Sequence, residues 1–279
     1  MTVLVLAIAS AALFGAMTVA LRLALLRSPD ARVGAAVTVL VAFAVALPAT
    51  PLGSGGTSGR DLVLFGLAGA LAPGVSQLLF SLAVRDSGAA RTSVVVGGAP
   101  LVTVVLGLVL LDEPLHAGLV AGAVLIVVGG TALAWERLRP ESFRAVGLAW
   151  AVGATLLFAS RDTFVRWFSG ETPVASTAAA AATLAGGALV LSLATARRPW
   201  RGVGAFVPAG LCFGLSYVCL FEAYYRGRVT VVSPLVATES LWGVGLSALL
   251  IGRSELVGRR LVAGALLIVA GGALIGAFR

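Results

Sequence analysis

Glu239 and Arg161 are the ionisable residues placed where charge costs most. Glu239 stands in "SPLVATESLWG", about ten residues into an apolar run, and no arginine lies three or four residues to either side. At 1.5 Å per helical residue that is about 15 Å deep, near the middle of a bilayer. A charged side chain at such depth costs at least about 2.5–3.5 kcal/mol and marks a pathway by default. Glu239 must bind a proton, pair with a cation from another helix, or face water. The first option makes it a candidate for proton coupling, and the second a static structural carboxylate. Arg161 sits in the adjoining pair Arg161–Asp162 of another apolar run. Asp162 has Arg166 four residues on, so a helical i,i+4 pair is available to it. Arg161 has no such local partner, which leaves three roles: a substrate carboxylate, Glu239, or snorkelling to the interface.

The remaining polar candidates are weaker. Glu222 is a second coupling candidate, but Arg226 one turn later offers a local salt bridge. Tyr217 and Tyr224 are seven residues apart and share a helix face, with Phe221 between them. Such a stripe serves packing or an interfacial belt. Beside Glu239 and Trp242 it could instead cradle an aromatic or cationic solute. Gln77 and Ser76 follow Pro73–Gly74, where a mid-helix break frees carbonyls for a ligand or a hinge. Phe14, with its sequence counterpart Phe158, completes the substrate-contacting set. Glu113 and Glu255 lie in boundary turns, where helix capping accounts for them. His116, the only histidine, starts a helix and is expected to be solvated.

The elements that carry these residues follow from composition. The 279 residues are 59% hydrophobic and 11% charged, well below the quarter of charged residues in soluble domains. All 20 basic residues are arginine, and they fall singly or in pairs between apolar runs. That is the signature of membrane topology rather than of a nucleic-acid face. Apolar runs fall at about 3–25, 32–50, 62–84, 89–111, 115–135, 145–167, 174–195, 202–225, 229–251 and 257–277. Each is long enough to cross about 30 Å of hydrocarbon as a helix. The first run has no basic residue before it and reads as a membrane helix, not a cleaved leader. The connections are short and turn-rich, and "ERLRPESFR" at Glu136–Arg144 is the most polar in the middle of the chain.

The runs repeat. "LVAGAVLIVVGG" at Leu119–Gly130 returns as "LVAGALLIVAGG" at Leu261–Gly272, and Glu113 aligns with Glu255 at the same offset. "AALFGAMTVALR" lies over "TLLFASRDTFVR", matching Phe14 to Phe158 and Arg22 to Arg166. "GVSQLLFSLAVR" lies over "LSYVCLFEAYYR", matching Phe80 to Phe221 and Arg85 to Arg226. Two five-helix copies, 1–139 and 140–279, result. Five is odd, so the second copy enters the membrane from the opposite side. The fold expected is an all-α integral membrane protein with ten transmembrane helices in two inverted-topology repeats, the architecture of alternating access. Gly118/Gly122 and Gly272/Gly276 are GxxxG pairs that either pack the halves together or form a homodimer face.

Ten short-looped helices, two five-helix halves and an acidic residue before the last helix of each half resemble the EamA-type transporters of the drug/metabolite transporter superfamily. The motif residues are "LLDEPL" at Leu110–Leu115 and the weaker "LIGRSEL" at Leu250–Leu256. The second copy departs at Leu256, where the first has Pro114, and at Arg253 and Ser254, where the family shows Leu-Gly. The resemblance implies export or exchange of small metabolites, such as amino acids or amphipathic drugs, driven by ion gradients. It also implies that the fifth and tenth helices are peripheral and the other eight line the cavity.

Other classes find little support. An integral membrane enzyme would need a dyad or metal ligands, and the chain has no HExxH and no GxSxG. A non-transporting assembly protein would not require inversion. Cys212 and Cys219, seven residues apart in one run, form no CxxC and suit packing. There is no Walker A motif, so ATP is not the driver within this chain, and no cofactor is expected. The partners expected are a small-molecule substrate and the lipid bilayer of the plasma membrane, with no nucleic acid. Counting arginines puts 14 in or near odd-numbered connections and 6 elsewhere. The positive-inside rule then makes the odd connections cytoplasmic and both termini external; the resemblance implies both termini inside.

Overall fold

The computed structural model describes residues 2–52, 56, 58–110, 117–134, 143–227, 232, 235–252 and 255–277. Glu113, Pro114 and His116, most of the 136–144 connection, and Arg253 and Ser254 lie outside them. Twelve helices are used below: α1 (Thr2–Arg27), α2 (Ala31–Ala46), α3 (Gly59–Gly69), α4 (Ser76–Ser87), α5 (Ala89–Val96), α6 (Ala99–Leu110), α7 (Ala117–Ala134), α8 (Val146–Phe168), α9 (Ser176–Thr195), α10 (Val207–Arg226), α11 (Glu239–Leu250) and α12 (Arg259–Ala277). Among the described residues there is no β-strand.

Among the described residues, five helical segments are long and apolar enough to cross a membrane: Thr2–Arg27, Ala31–Pro51, Gly59–Ser87, Ser176–Thr195 and Val203–Arg226. α8 has the length, 23 residues; Arg161, Asp162 and Arg166 dilute its apolar character.

Three runs expected as single helices are interrupted. The third is distorted at Ala70–Val75, where Ala72 adopts φ −140° and ψ 104°. A proline crowds the backbone of the residue before it and drives that residue out of the α region; here Pro73 acts on Ala72. The fourth run divides into α5 and α6 at a turn over Gly97–Gly98. In the ninth run a turn at Ala237–Thr238 precedes α11, so Glu239 opens a helix instead of lying inside one.

The packing is paired between the copies. α1 lies on α10, as its counterpart α8 lies on α4; α2 contacts α10 and α9 contacts α3. α2 meets α9 and α7 meets α12, each helix against its own sequence equivalent, and α5 of the fourth run meets α11 of the ninth. Small residues permit this approach where no hydrophobic effect drives helices together. The duplicated segments supply the clearest case. A Cβ on Gly122 would come within 2.7 Å of the Gly271 carbonyl oxygen, and one on Gly271 within 2.6 Å of the Gly122 carbonyl oxygen. Gly129 faces the Gly264 carbonyl in the same way at 2.7 Å. Residue 122 therefore lies at 271 and residue 129 at 264, an antiparallel crossing of two near-identical helices. These glycines pack the two halves within one chain.

Asp30 begins α2 by accepting from the backbone N–H groups of Arg32 (3.0 Å) and Val33 (3.3 Å). The boundary residue Glu255 differs from expectation: it is fully buried. Its carboxylate accepts from the N–H of Ala90 at the start of α5, so it caps a helix of the other copy. It also pairs with Arg22 at 2.8 Å, and a buried cation is what permits the buried carboxylate. Cys212 and Cys219 are free and partly buried.

Candidate functional site

A small cavity lies where α1, α8 and α10 meet the fourth and ninth runs. Ser10 and Phe14 come from α1, Phe158, Arg161 and Asp162 from α8, and Ser216, Tyr217 and Leu220 from α10. Val96 and Ala99 flank the Gly97–Gly98 turn, and Val236 and Glu239 flank the Ala237–Thr238 turn. Both copies thus contribute, and both breaks open onto the cavity. Its volume is about 30 Å³, the share of one water molecule. No metabolite fits until the helices move apart.

Arg161 is held on every side. Its Nε and Nη2 donate to Asp162 Oδ1 at 2.9 and 2.6 Å, and its Nη1 donates to the Tyr217 hydroxyl at 2.5 Å. The guanidinium carbon lies 4.8 Å from the Tyr217 ring centroid and 5.3 Å from that of Phe158, within cation–π reach. The Asp162–Arg166 pair that the spacing makes available is not formed. Successive residues on a helix do not ordinarily face each other, yet here two flexible side chains bend together, because the nearest carboxylate is the least costly way to neutralise a buried guanidinium. Arg166 instead donates to the Tyr224 carbonyl at 3.3 Å. The Tyr224 hydroxyl side chain interacts with Asp162, so the tyrosine stripe on α10 flanks the ion pair, Tyr217 on the arginine and Tyr224 on the aspartate.

Glu239 is buried at 6% exposure in the same cavity. Of the roles left open, the Arg161–Glu239 pair is not formed: among the described residues Arg161 pairs with Asp162, and Glu239 has no ion pair. With Glu239 ionised the cavity holds one cation and two anions.

The other candidates scatter. Phe14 lines the cavity within an edge-on ring cluster, its centroid 5.3 Å from Phe80, 5.8 Å from Phe158 and 6.1 Å from Phe213. Gln77 is fully buried but not in the lining; its amide nitrogen lies 3.9 Å from Met17 Sδ, and its Oε1 has no hydrogen-bond partner among the described residues. Glu222 pairs with Arg226 and accepts from the Ser176 hydroxyl, away from the cavity. Trp242 is 42% exposed and faces the other way, in an outward apolar groove of about 550 Å³ with Ile8, Leu241 and Leu249. The cause is α1: a Cβ on Gly15 would be 2.6 Å from Trp242 Cβ, so the indole is directed past α1 and outward.

One feature of the site escapes the sequence. Ser10 and Ser216 face each other: each hydroxyl lies within donating distance of the other's carbonyl, at 3.0 and 2.9 Å, with the two hydroxyl oxygens 3.0 Å apart. This cross-link ties α1 to α10 beside Arg161 and Glu239. Its residues are 206 positions apart and no motif announces it.

Among the described residues, an all-helical fold with long apolar helices defines a polytopic membrane protein. The family model of the EamA-like transporter family matches residues 1–134 and 145–277, and the chain belongs to that family. No curated protein matches. A solved structure described as "Crystal structure of protein" is 20% identical with a TM-score of 0.62, covering 95% of this chain and 96% of its own. That likeness speaks for the fold alone.

Proposed function

We propose that this membrane transporter is a secondary carrier that exports or exchanges small organic solutes, such as amino acids or amphipathic compounds, by alternating access. Ten crossings in two units, 1–139 and 140–279, would be related by an axis in the plane of the plasma membrane. The antiparallel glycine crossing of α7 and α12 supports that inversion, because two equivalent helices can meet head to tail only if one copy is turned over. The pair leaves Val120, Val124 and Val127 of α7 facing outward, the surface on which a second copy would pack.

The observation that carries the reading is Glu239: a buried carboxylate without an ionic partner among the described residues, in a cavity shared by both copies, beside an arginine already neutralised. A carboxylate that holds no structural pair is free to exchange a proton for a solute. Arg161, Tyr217 and Phe14 would contact the solute once the cavity widens; Tyr224 acts behind them on Asp162. No enzymatic step is proposed.

The experiment is flux of labelled amino acids, purines, sugars and organic cations into proteoliposomes, with and without an imposed pH gradient. Protein-dependent flux accelerated by the gradient is expected. Flux equal to that of protein-free vesicles across the panel would refute transport, and flux indifferent to the gradient would remove proton coupling.

A further inference from the structure

We propose that Arg22, Arg91 and Glu255 form an ionic gate that closes one end of the central cavity. The proposal rests on the alternating-access reading above. Arg22 Nε donates to Glu255 Oε1 at 2.8 Å, and its Nη1 donates to the carbonyls of Val84 (3.2 Å) and Arg85 (2.9 Å) at the end of α4. Arg91 Nη1 donates to the Glu255 carbonyl at 2.9 Å, and its Nη2 to that of Leu256 at 3.5 Å. The Arg91 guanidinium also lies 5.8 Å from the Phe143 ring centroid. Exposure is 4% for Arg22, 2% for Arg91 and 0% for Glu255. Gly88 has φ +90°, and any side chain there would run into the Glu255 carboxylate.

Two features make this a gate rather than mere packing. Both arginines come from the first copy and the carboxylate from the second, so moving the copies apart at this end must break the contact. Arg22 is eight residues beyond Phe14 on α1, about 12 Å along the helix from the cavity lining. Buried ion pairs add little net stability over apolar packing, and their best-attested role is to fix register or switch between states. Here the charges can part only when water enters with the opening, which makes the end two-state rather than gradually loose.

The test reads accessibility, so it needs no known substrate. Cys212 and Cys219 are replaced by alanine and Ser216→Cys places one thiol in the cavity. An impermeant maleimide is applied to each face of reconstituted vesicles. Arg201→Cys, exposed and next to Ser28, identifies the face bearing Arg22. Glu255→Gln is expected to raise labelling from that face about tenfold, with no rise from the other. The exchange Arg22→Glu with Glu255→Arg is expected to restore the parental rate. Labelling unchanged by Glu255→Gln, or raised equally from both faces, would overturn the gate. A parent accessible from only one face at every pH and with every solute tested would instead remove alternating access itself.

Discussion

Arg161 and Asp162 are neighbours in the chain and partners in space, joined at 2.6 Å. That contact decides what Glu239 is left to do. The arginine best placed to neutralise it is already neutralised, and both groups line one cavity.

Glu239→Gln should therefore keep the fold and lose the coupling. It breaks no ion pair among the described residues, so the stability change should stay below about 1 kcal/mol. Flux driven by a pH gradient should vanish, while solute exchange without a gradient persists. Wild-type gradient-driven flux in a well-folded Glu239→Gln protein would end the coupling role.

Asp162→Asn should do the opposite. It leaves Arg161 buried without its counter-charge, a loss of about 3–5 kcal/mol in comparable pairs. The double change Arg161→Gln with Asp162→Asn should recover much of that loss, whereas Arg161→Gln with Glu239→Gln should not. Thermal unfolding in detergent of the variants separates the two patterns.

Gly271→Ala should destabilise the protein even though alanine is the better helix former by up to about 1 kcal/mol. The added methyl meets the Gly122 carbonyl at 2.6 Å, and backbone cannot turn aside as a side chain can. Overpacking of this kind costs about 1–3 kcal/mol. Gly130→Ala, with nothing within 4 Å of its Cβ position, is the control and should be neutral or stabilising. Equal melting temperatures for the two variants would contradict the packing described.

Asp30 lies between α1 and α2 and should make acid tolerance measurable. Burial alone would raise its carboxyl, but the Val33 N–H, the Arg198 guanidinium at 3.0 Å and the Arg32 N–H together hold it below the usual carboxylate range. A carboxyl whose folded value is lowered contributes stability that is full above the ordinary value of about 4 and is lost as pH falls through the folded value. Asp30→Asn keeps a capping acceptor and removes the charge. Its melting temperature should fall less than that of the wild type as pH drops below about 4. Parallel curves would show that Asp30 carries no such linkage.

The arginine distribution predicts that the connection holding Asp30 faces the cytoplasm and that both termini lie outside. A reporter fused at the C-terminus and active only in the cytoplasm should stay silent. Full activity would reverse the orientation.

Much was legible in the chain because it depends on spacing within single helices. Run length and hydropathy specified a helical membrane protein, and the repeated segments at Leu119 and Leu261 marked two copies. The cost of charge in an apolar run picked out Arg161, Asp162 and Glu239. Partnership was not legible. Whether Arg161 meets Asp162 or Glu239, whether Trp242 looks inward or outward, and whether Glu255 is a turn residue or a buried counter-ion depend on how neighbouring helices are rotated and where they break. Those rotations follow from close approaches such as Gly15 to Trp242 and Gly122 to Gly271, and from the turns at Gly97–Gly98 and Ala237–Thr238. Each is a contact between segments distant in sequence, and no periodicity within one segment encodes the angle at which another will meet it.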